Sequence, residues 1–323
     1  MLVSVLLFAV GLVLLIKGGD WFVDGATGIA RRFHLPDIFV GASVVSIGTS
    51  LPEVMVSVTG ALQGQGAMSY GNAIGSIICN TALIAAISVA CNPGPVNTKT
   101  MKMPVIFFFF SAAVYCAAAY LLGEFPRWLG FALLAIFVVY MLLTVRQGLK
   151  NPEAAHEEGD EGEKKEKKLW QELALLVVGA ALIALGANLL VEHGTIIAQE
   201  LGVPETVIAL TFVALGTSLP ELVTTITSLK KGHASLGIGN VIGANIFNLV
   251  LVSGASVTLA PFEVPVGNTL FGINASLVLD IPLMIVVMAL LTLPALLRKK
   301  LGRWQGITLL AIYAAFCVVQ FAL

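Results

Sequence analysis

The chain has 323 residues, of which 58% are hydrophobic and 11% are charged, and its mean hydropathy is +0.94. This composition excludes a soluble domain with a large core and indicates an integral membrane protein. The formal net charge of −1 and the absence of a basic stretch in the sequence give no support to a nucleic-acid partner.

Apolar segments long enough to cross a bilayer predict ten membrane-spanning helices. The first segment has no positive region before it, and its first lysine, Lys17, follows the apolar run. It is therefore expected to be a retained span and not a signal peptide. In chain order the predicted spans are 2–30, 37–63, 68–91, 102–122, 127–147, 168–198, 205–230, 234–258, 270–296 and 303–322.

The basic residues support this count. With ten spans, Lys17 lies within the first span, Arg127 lies on one side, and the other 16 of the 18 Lys and Arg lie on the opposite side. The positive-inside rule makes that side the cytoplasm, so both termini are expected outside, in the periplasm next to an inner (plasma) membrane. The 16 residues are Arg31, Arg32, Lys99, Lys102, Arg146, Lys150, Lys164, Lys165, Lys167, Lys168, Lys230, Lys231, Arg298, Lys299, Lys300 and Arg303.

An internal repeat organises the chain. The hexapeptide Gly-Thr-Ser-Leu-Pro-Glu occurs at 48–53 and again at 216–221, and about 70 residues align at this fixed offset without a gap. Five predicted helices precede each restart, so the second copy should cross the membrane inverted, as in secondary transporters. The predicted domains are a first repeat at 1–147, a cytosolic linker at 148–167 and a second repeat at 168–323. The mixed charge of the linker and its shortage of hydrophobic residues indicate disorder.

The hexapeptide is suited to bind a hard cation. Pro52 has no N–H to donate to the carbonyl of Gly48, so the helix is expected to open just before it and to release backbone oxygens. Glu53 follows Thr49 by four residues and Ser50 by three, which places a carboxylate and two hydroxyls within one turn. Such oxygen ligands suit Ca²⁺, Mg²⁺ and Mn²⁺, and zinc or copper would call for His or Cys.

A second polar stripe follows each hexapeptide, with residues spaced by four along one helix face. Asn80 and Asn248, deeper in their helices, are predicted ion ligands, whereas Asn72 and Asn240, at the helix starts, are expected mainly to join helices. The intervening positions in the two stripes are Ser76 and Ala244.

Glycine pairs with G-x-x-x-G spacing adjoin both stripes. Gly71 and Gly75 form one pair, and Gly239 and Gly243 form the other. Because such glycines let helices approach closely, we expect them to bring the asparagine faces against the broken helices.

The remaining acidic residues are expected to be peripheral. Asp24 and Glu192 correspond in the repeat and lie near span ends, which favours an interfacial or vestibule position. Asp20 and Asp37 are expected at the interface, and Asp280, in the ninth span, is expected to hydrogen-bond locally.

Transition-metal binding and redox roles are not predicted. The four cysteines are single and lie in apolar surroundings, as small core residues do, and the four histidines form no pair at i, i+3 or i, i+4.

The two hexapeptides, each followed by Gly-Asn-x-x-Gly-[Ser/Ala]-x-x-x-Asn, resemble the alpha-1 and alpha-2 repeats of the calcium/cation antiporter superfamily, specifically the sodium/calcium exchangers and their bacterial relatives. The resemblance covers nearly the whole chain. It implies an all-α membrane fold of ten helices, with helices 2 and 7 broken and two glutamates sharing a central Ca²⁺ site beside Na⁺ sites. The implied ligands are Glu53, Thr49, Ser50, Ser76, Asn80 and the carbonyl of Ser46 from one half, and Glu221, Thr217, Ser218, Asn248 and the carbonyl of Ala214 from the other.

Three positions depart from the family pattern. Ala244 replaces a serine that is frequent in alpha-2, which puts one Na⁺ site in doubt. Asn248 stands where potassium-dependent exchangers carry Asp, so K⁺ co-transport is not expected. Ile77 interrupts the usual Gly-Ser-Asn of alpha-1, although Asn245 is retained in alpha-2.

Charge suggests the mechanism. Two carboxylates in a low dielectric repel each other, so they should hold cations or take up a proton. One Ca²⁺ neutralises both carboxylates, whereas at least two Na⁺ are needed to do so. The two ions therefore compete for one site. This competition becomes antiport if the empty protein cannot expose the site to the other side of the membrane. The resemblance implies that the first and sixth helices slide to alternate access.

Three hypotheses remain open: Ca²⁺/Na⁺ antiport, Ca²⁺/H⁺ antiport on the same fold, and a passive cation channel. No arrangement of nucleophile, base and oxyanion donors indicates an enzyme. The expected partners are Ca²⁺, Na⁺ or H⁺ and the lipid bilayer, without a cofactor and without an obligate protein partner.

Overall fold

The computed structural model describes residues 2–33, 35–150, 168–201, 216–266, 269–270 and 272–322. The predicted linker falls almost entirely on 151–167, which lies outside the described residues. The α-helices are α1 (Leu2–Arg32), α2 (Asp37–Val40), α3 (Ser46–Thr49), α4 (Leu51–Leu62), α5 (Gly66–Cys79), α6 (Ala86–Cys91), α7 (Thr98–Ala117), α8 (Arg127–Lys150), α9 (Leu169–Glu200), α10 (Leu219–Lys230), α11 (Ala234–Phe247), α12 (Ser253–Leu259), α13 (Ile281–Arg298) and α14 (Arg303–Ala322).

Among the described residues, five π-helical segments interrupt or join these helices, and six two-residue strands form three antiparallel pairs. The π segments are π1 (Gly41–Val45), π2 (Asn80–Ala85), π3 (Ala118–Leu122), π4 (Asn248–Val252) and π5 (Ser276–Asp280). The strands are β1 (Gly94–Pro95), β2 (Glu124–Phe125), β3 (Phe262–Glu263), β4 (Thr269–Leu270), β5 (Ile273–Asn274) and β6 (Lys300–Leu301), paired as β1 with β6, β2 with β3 and β4 with β5.

The fold is that of an all-α membrane protein. Among the described residues, seven helices are long and apolar enough to cross a membrane, and the pair Asp37–Thr49 and Leu51–Leu62, bent by 47°, makes an eighth candidate. These eight match eight of the predicted spans. The predicted seventh span is described only from residue 216 onward, and α14 coincides with the predicted tenth, so the count of ten stays a prediction.

Large apolar side chains face outward along these helices. Leu121 and Leu297 are 80% and 84% exposed, whereas many Ser, Thr and Asn side chains are fully buried. An apolar exterior around a polar interior is expected for helices that contact lipid and surround hydrophilic groups.

The chain divides into two compact units that do not coincide with the predicted repeats. Unit 1 comprises residues 1–52 and 148–240, and unit 2 comprises 53–147 and 241–323. Each unit draws segments from both halves of the sequence. The two repeats are therefore consecutive in the sequence, whereas each compact unit combines residues of both repeats.

Unit 1 is built on the antiparallel contact between α1 and α9. A Cβ on Gly11 would lie 2.9 Å from the carbonyl oxygen of Gly186, and a Cβ on Gly18 would lie 2.9 Å from that of Gly179. Glycines at a seven-residue spacing thus let the two backbones touch. An ion pair between Arg32 and Glu172, 3.0 Å apart, joins the same helices near the end of α1.

The glycine pairs were expected to bring α5 and α11 close to the broken helices. A Cβ on Gly239 would clash with the carbonyl oxygen of Ile38, which confirms close packing of α11 against α2. A Cβ on Gly71 or Gly75 would meet no atom of the described residues within 4 Å. The segment that corresponds to α2 in the second half lies within 202–215, outside the described residues, so the expectation for Gly71 and Gly75 stays a prediction.

Unit 2 is held by aromatic and small-residue contacts. The ring of Phe125, in β2, lies 4.6 Å from that of Tyr115 and 5.3 Å from that of Phe262 in β3, measured between centroids. A Cβ on Gly306 would lie 2.6 Å from the carbonyl oxygen of Ala86, so α14 packs closely on α6.

Candidate cation site

The first hexapeptide breaks its helix at the serine. Ser50 has φ −86° and ψ 0° and follows α3, which ends at Thr49. In the second copy Ser218 has φ −88° and ψ 2°, and residues 202–215, which precede this hexapeptide, lie outside the described residues. In both copies a new helix starts at the following leucine, with Pro52 or Pro220 in its first turn, where a missing N–H costs no hydrogen bond. The predicted opening before proline is confirmed in the first copy.

The break places each carboxylate in the first turn of the new helix. Glu53 lies in the first turn of α4 and Glu221 in that of α10, and both residues are 0% exposed. The helix dipole favours a negative charge at this end. The sequence analysis found the carboxylates but missed this contribution, although proline at the second helical position signals it.

In unit 1, hydroxyls and an amide gather around the first break. Ser50 Oγ lies 3.5 Å from Oε1 of Glu221, at the limit of a hydrogen bond. Thr49 Oγ1 donates to Oδ1 of Asn240 over 3.1 Å, and Ser46 Oγ donates to the Asn240 carbonyl over 2.9 Å. Asn240, expected mainly to join helices, therefore binds two residues of the first hexapeptide region.

Three further predicted ligands differ in what the structure shows of them. Ser218 is buried, and its Oγ has no hydrogen-bond partner among the described residues. Thr217 is half-buried, and Ala214 lies outside the described residues. The Ser46 carbonyl accepts the N–H of Ser50 over 3.0 Å, which leaves one lone pair for another partner.

Unit 2 contributes two buried amides. Asn80 and Asn248 are 0% exposed, and within the described parts of the chain neither Nδ2 nor Oδ1 of either residue has a hydrogen-bond partner. A buried amide group without a hydrogen-bond partner costs about 1–3 kcal/mol, so an empty cavity is an unfavourable environment for these side chains. They fit a role as oxygen donors to a ligand.

Each of these amides begins a π-helical segment, π2 at Asn80 and π4 at Asn248. Ser253 Oγ donates over 2.9 Å to the carbonyl of Asn248, five residues earlier. π segments are uncommon and frequently occur at functional sites. The sequence analysis missed both segments, and no local signal in the sequence announces them.

The neighbouring polar residues of unit 2 have defined partners. Ser76 is buried one turn before Asn80, whereas Ala244 is buried and offers only a methyl group. Asn72 Nδ2 donates to the Glu53 carbonyl over 3.1 Å and to a serine hydroxyl of α4, so it joins α5 to α4 as expected. Asn245 Nδ2 donates to Thr81 Oγ1 over 2.7 Å.

The peripheral acids also have polar partners. Asp24 lies 2.9 Å from Nζ of Lys231, and Asp37 lies 2.7 Å from Nδ1 of His233. Asp280 accepts a hydrogen bond over 3.0 Å from Nε2 of Gln320 in α14, so its partner lies on another helix and the bond is not local.

The donors in both units are oxygens. Among the described residues, no group of three or more His, Cys, Asp and Glu side chains is placed to hold a metal. Carboxylate, hydroxyl and amide oxygens match a hard cation better than a transition metal. Two buried carboxylates, each in the first turn of a helix that starts within a repeated hexapeptide of an all-α membrane fold, define a multi-pass membrane transporter.

Comparisons with known proteins agree. The model of the sodium/calcium exchanger protein family matches residues 3–146 and 172–322, and the chain belongs to this family. An uncharacterized membrane protein of Methanocaldococcus jannaschii is 36% identical over 95% of this chain and 94% of its own. The sodium/calcium exchanger MaX1 of Methanosarcina acetivorans is 30% identical over 99% of each chain. The solved structure of the sodium-calcium exchanger NCX_Mj, soaked with Na⁺ and Sr²⁺, has a TM-score of 0.80 and 32% identity over 97% of both chains.

Proposed function

We propose that this protein is a secondary antiporter that exchanges Ca²⁺ for Na⁺ across the membrane by alternating access. The observation that carries the proposal is the pair of fully buried glutamates, Glu53 and Glu221, each next to a proline in the first turn of its helix, in a chain of the exchanger family. A buried carboxylate at membrane depth is costly unless it has a partner or a ligand.

The proposed ligands are the oxygens of both halves of the chain. Glu53 and Glu221 supply the charge for Ca²⁺, and neutral hydroxyl, amide and backbone oxygens complete its six to eight ligands and hold Na⁺. The neutral donors are Thr49, Thr217, Ser50, Ser218, Ser76, Asn80, Asn248 and the carbonyls of Ser46 and Ala214.

Charge balance supplies the coupling. One Ca²⁺ or two Na⁺ neutralise two carboxylates, so the two ions compete for the same oxygens. The site releases one only when the other, or a proton, replaces it. Because α1 and α9 touch along their backbones, they are suited to move as one body when access alternates.

The membrane arrangement belongs to the same proposal. The segregation of basic residues supports an inner (plasma) membrane protein with both termini outside and the 148–167 loop in the cytoplasm. The repeats at 1–147 and 168–323 would then cross the membrane in opposite directions. Ca²⁺, Na⁺ and the bilayer suffice as partners.

The test is uptake of radiolabelled Ca²⁺ into proteoliposomes at clamped pH, with Na⁺ or K⁺ loaded inside. The proposal expects uptake with internal Na⁺ only, and its loss in Glu53→Gln and in Glu221→Gln. Uptake driven by a pH gradient without Na⁺ would replace the proposal with Ca²⁺/H⁺ antiport. Uptake under both loadings and without any gradient would indicate a channel.

A further inference from the structure

Helix α10 has its polar face inside and its apolar face outside. Ser218, Glu221, Thr225 and Ser228 are spaced as i, i+3, i+7 and i+10, which places them on one face, and Thr224 adjoins that face. All five residues are at most 1% exposed. The half-exposed side chains on an adjoining side of the helix are Leu219, Leu222, Ile226 and Leu229.

The hydroxyls below Glu221 lack partners. Within the described ranges, Oγ1 of Thr224, Oγ1 of Thr225 and Oγ of Ser228 are buried and have no hydrogen-bond partner. Each such group costs about 1–3 kcal/mol when it is left unpaired. A continuous row of three is therefore unfavourable unless water or a ligand occupies the space beside it.

This is not the usual state of helical hydroxyls in this protein. Thr27, Thr81, Thr144 and Thr292 are also buried in helices, and each donates to the carbonyl four residues earlier over 2.7–2.9 Å. That bond is the ordinary solution for a buried helical threonine. The hydroxyls of Thr224, Thr225 and Ser228 do not form this bond to the carbonyl four residues earlier.

The row of unpaired hydroxyls, Thr224, Thr225 and Ser228, is a feature of the second half of the chain. At the equivalent positions, α4 has Val56, Ser57 and Gly60. Of these only Ser57 carries a hydroxyl, and it accepts a hydrogen bond from Nδ2 of Asn72 over 2.7 Å. The repeat therefore does not impose the row of hydroxyls, and the two halves differ in the polarity of the helix that follows the carboxylate.

The row of hydroxyls runs from Glu221 to the end of α10, where Lys231 lies. Glu221 and Ser228 are seven residues apart, or about 10 Å along the helix. One turn beyond Ser228, Lys231 Nζ donates to the carbonyl of Asp20 over 2.8 Å and to Oδ1 of Asp24 over 2.9 Å. The Asp20 and Asp24 side chains are 40% and 39% exposed, so this end is open to its surroundings.

We propose that Thr224, Thr225 and Ser228 line a transit path for the transported cation between Glu221 and the Lys231 end of α10. Neutral hydroxyls can replace part of the hydration shell of Na⁺, but they bind the ion more weakly than a carboxylate does. Such ligands therefore let an ion enter and leave. The carboxylate of Glu221 at the buried end favours a cation over an anion, whereas Asp20 and Asp24 at the other end are paired with Lys231. This inference rests on the proposed function, because it needs an ion that is transported.

The first test replaces the three hydroxyls together, as Thr224→Val, Thr225→Val and Ser228→Ala. The initial rate of Na⁺-dependent Ca²⁺ uptake should fall about ten-fold, because the path loses its oxygen donors. Equilibrium binding of Ca²⁺ to the detergent-solubilised protein should change less than about two-fold, since the glutamates remain. The unfolding temperature should stay the same or rise, because unpaired buried hydroxyls are removed.

The matched control is Thr227→Val on the same helix, half-buried on the side next to Gly19 of α1, which should leave the rate unchanged. Thr225→Ser, which keeps a hydroxyl, should also keep the rate. If the triple variant does not fold, Ser228→Ala alone decides the question by the same comparison of rate with binding.

The outcomes separate the two proposals. A wild-type protein without Na⁺-dependent Ca²⁺ uptake would remove the proposed function. An active wild type with an equally fast, folded triple variant would overturn the transit path and leave the exchanger intact. An equal loss of Ca²⁺ binding and rate would also overturn it, since the hydroxyls would then belong to the central site.

Discussion

The hydroxyl of Thr49 donates its proton to Oδ1 of Asn240, on a helix 191 residues further along the chain. Since a hydroxyl has only one proton, this bond directs both lone pairs of Thr49 Oγ1 away from the amide. They are then available to a cation. Asn240 thus acts on the candidate site by orienting a ligand, without having to contact the ion.

Asn240→Ala should weaken Ca²⁺ binding by about ten-fold, because Thr49 loses the side-chain oxygen that orients it, whereas Ser46 keeps the backbone carbonyl of residue 240. Stability should fall by about 1–3 kcal/mol, since the buried Thr49 hydroxyl loses this partner. Ca²⁺ titration and thermal unfolding measure the two effects. Asn92→Ala, at an exposed position, is the matched control and should change neither quantity. Unaltered Ca²⁺ binding in folded Asn240→Ala would show that Thr49 needs no orientation.

Gly18→Ala should destabilise the α1–α9 contact. The new Cβ would lie 2.8 Å from the backbone N of Ile183 and 2.9 Å from the Gly179 carbonyl, and neither backbone atom can move without shifting its helix. Overpacking of this kind costs about 1–3 kcal/mol, and thermal unfolding in detergent would measure it.

The control for this change is Gly94→Ala, in β1, where a Cβ would meet no atom of the described residues within 4 Å and the backbone φ is not positive. Alanine has fewer conformations than glycine in the unfolded chain, so this variant should be as stable as the wild type or more stable. Equal stabilities of the two variants would contradict the close backbone contact between α1 and α9.

The ion pair of Arg32 and Glu172 should bind α1 to α9 measurably. Glu172 has a side chain only 7% exposed, whereas that of Arg32 is 33% exposed, so solvent screens one partner. We expect a coupling of about 1 kcal/mol in the cycle of Arg32→Ala, Glu172→Ala and the double variant. Additive effects in thermal unfolding would mean that the pair contributes nothing beyond its separate side chains.

The broken helices were predictable because their cause is local. Pro52 and Pro220 remove a specific N–H wherever the surrounding chain lies, and the structure opens the first helix at Ser50, two residues before Pro52. The same holds for the long spans, since an apolar stretch of sufficient length is a property of the sequence alone.

The details of the candidate site were not predictable because their causes are distant in the chain. The partner of Thr49 is Asn240, from the other half, and no spacing rule connects them. The π segments at Asn80 and Asn248 depend on packing, because an α-helix and a π-helix of the same sequence differ by one hydrogen-bond register.

The departure at Ala244 can be tested directly. Ala244 lies four residues before Asn248 on the same buried face, and its methyl group stands where its repeat partner Ser76 has a hydroxyl. Ala244→Ser adds one neutral oxygen, the type of donor that coordinates Na⁺. We therefore expect half-maximal Ca²⁺ uptake at about a ten-fold lower Na⁺ concentration.

The measurement is the Na⁺ dependence of Ca²⁺ uptake, in the direction in which Na⁺ drives it. Ala73→Ser, which adds a hydroxyl at another fully buried alanine, in α5, is the matched control for the cost of burying one. Both serines can donate to the carbonyl four residues earlier, so a general effect of the hydroxyl on packing should appear in both variants. A lower half-maximal Na⁺ concentration in Ala244→Ser alone would assign position 244 to Na⁺ binding. An equal half-maximal Na⁺ concentration in the two variants would mean that the added oxygen does not reach the ion. Ala244 would then not weaken Na⁺ binding in this chain.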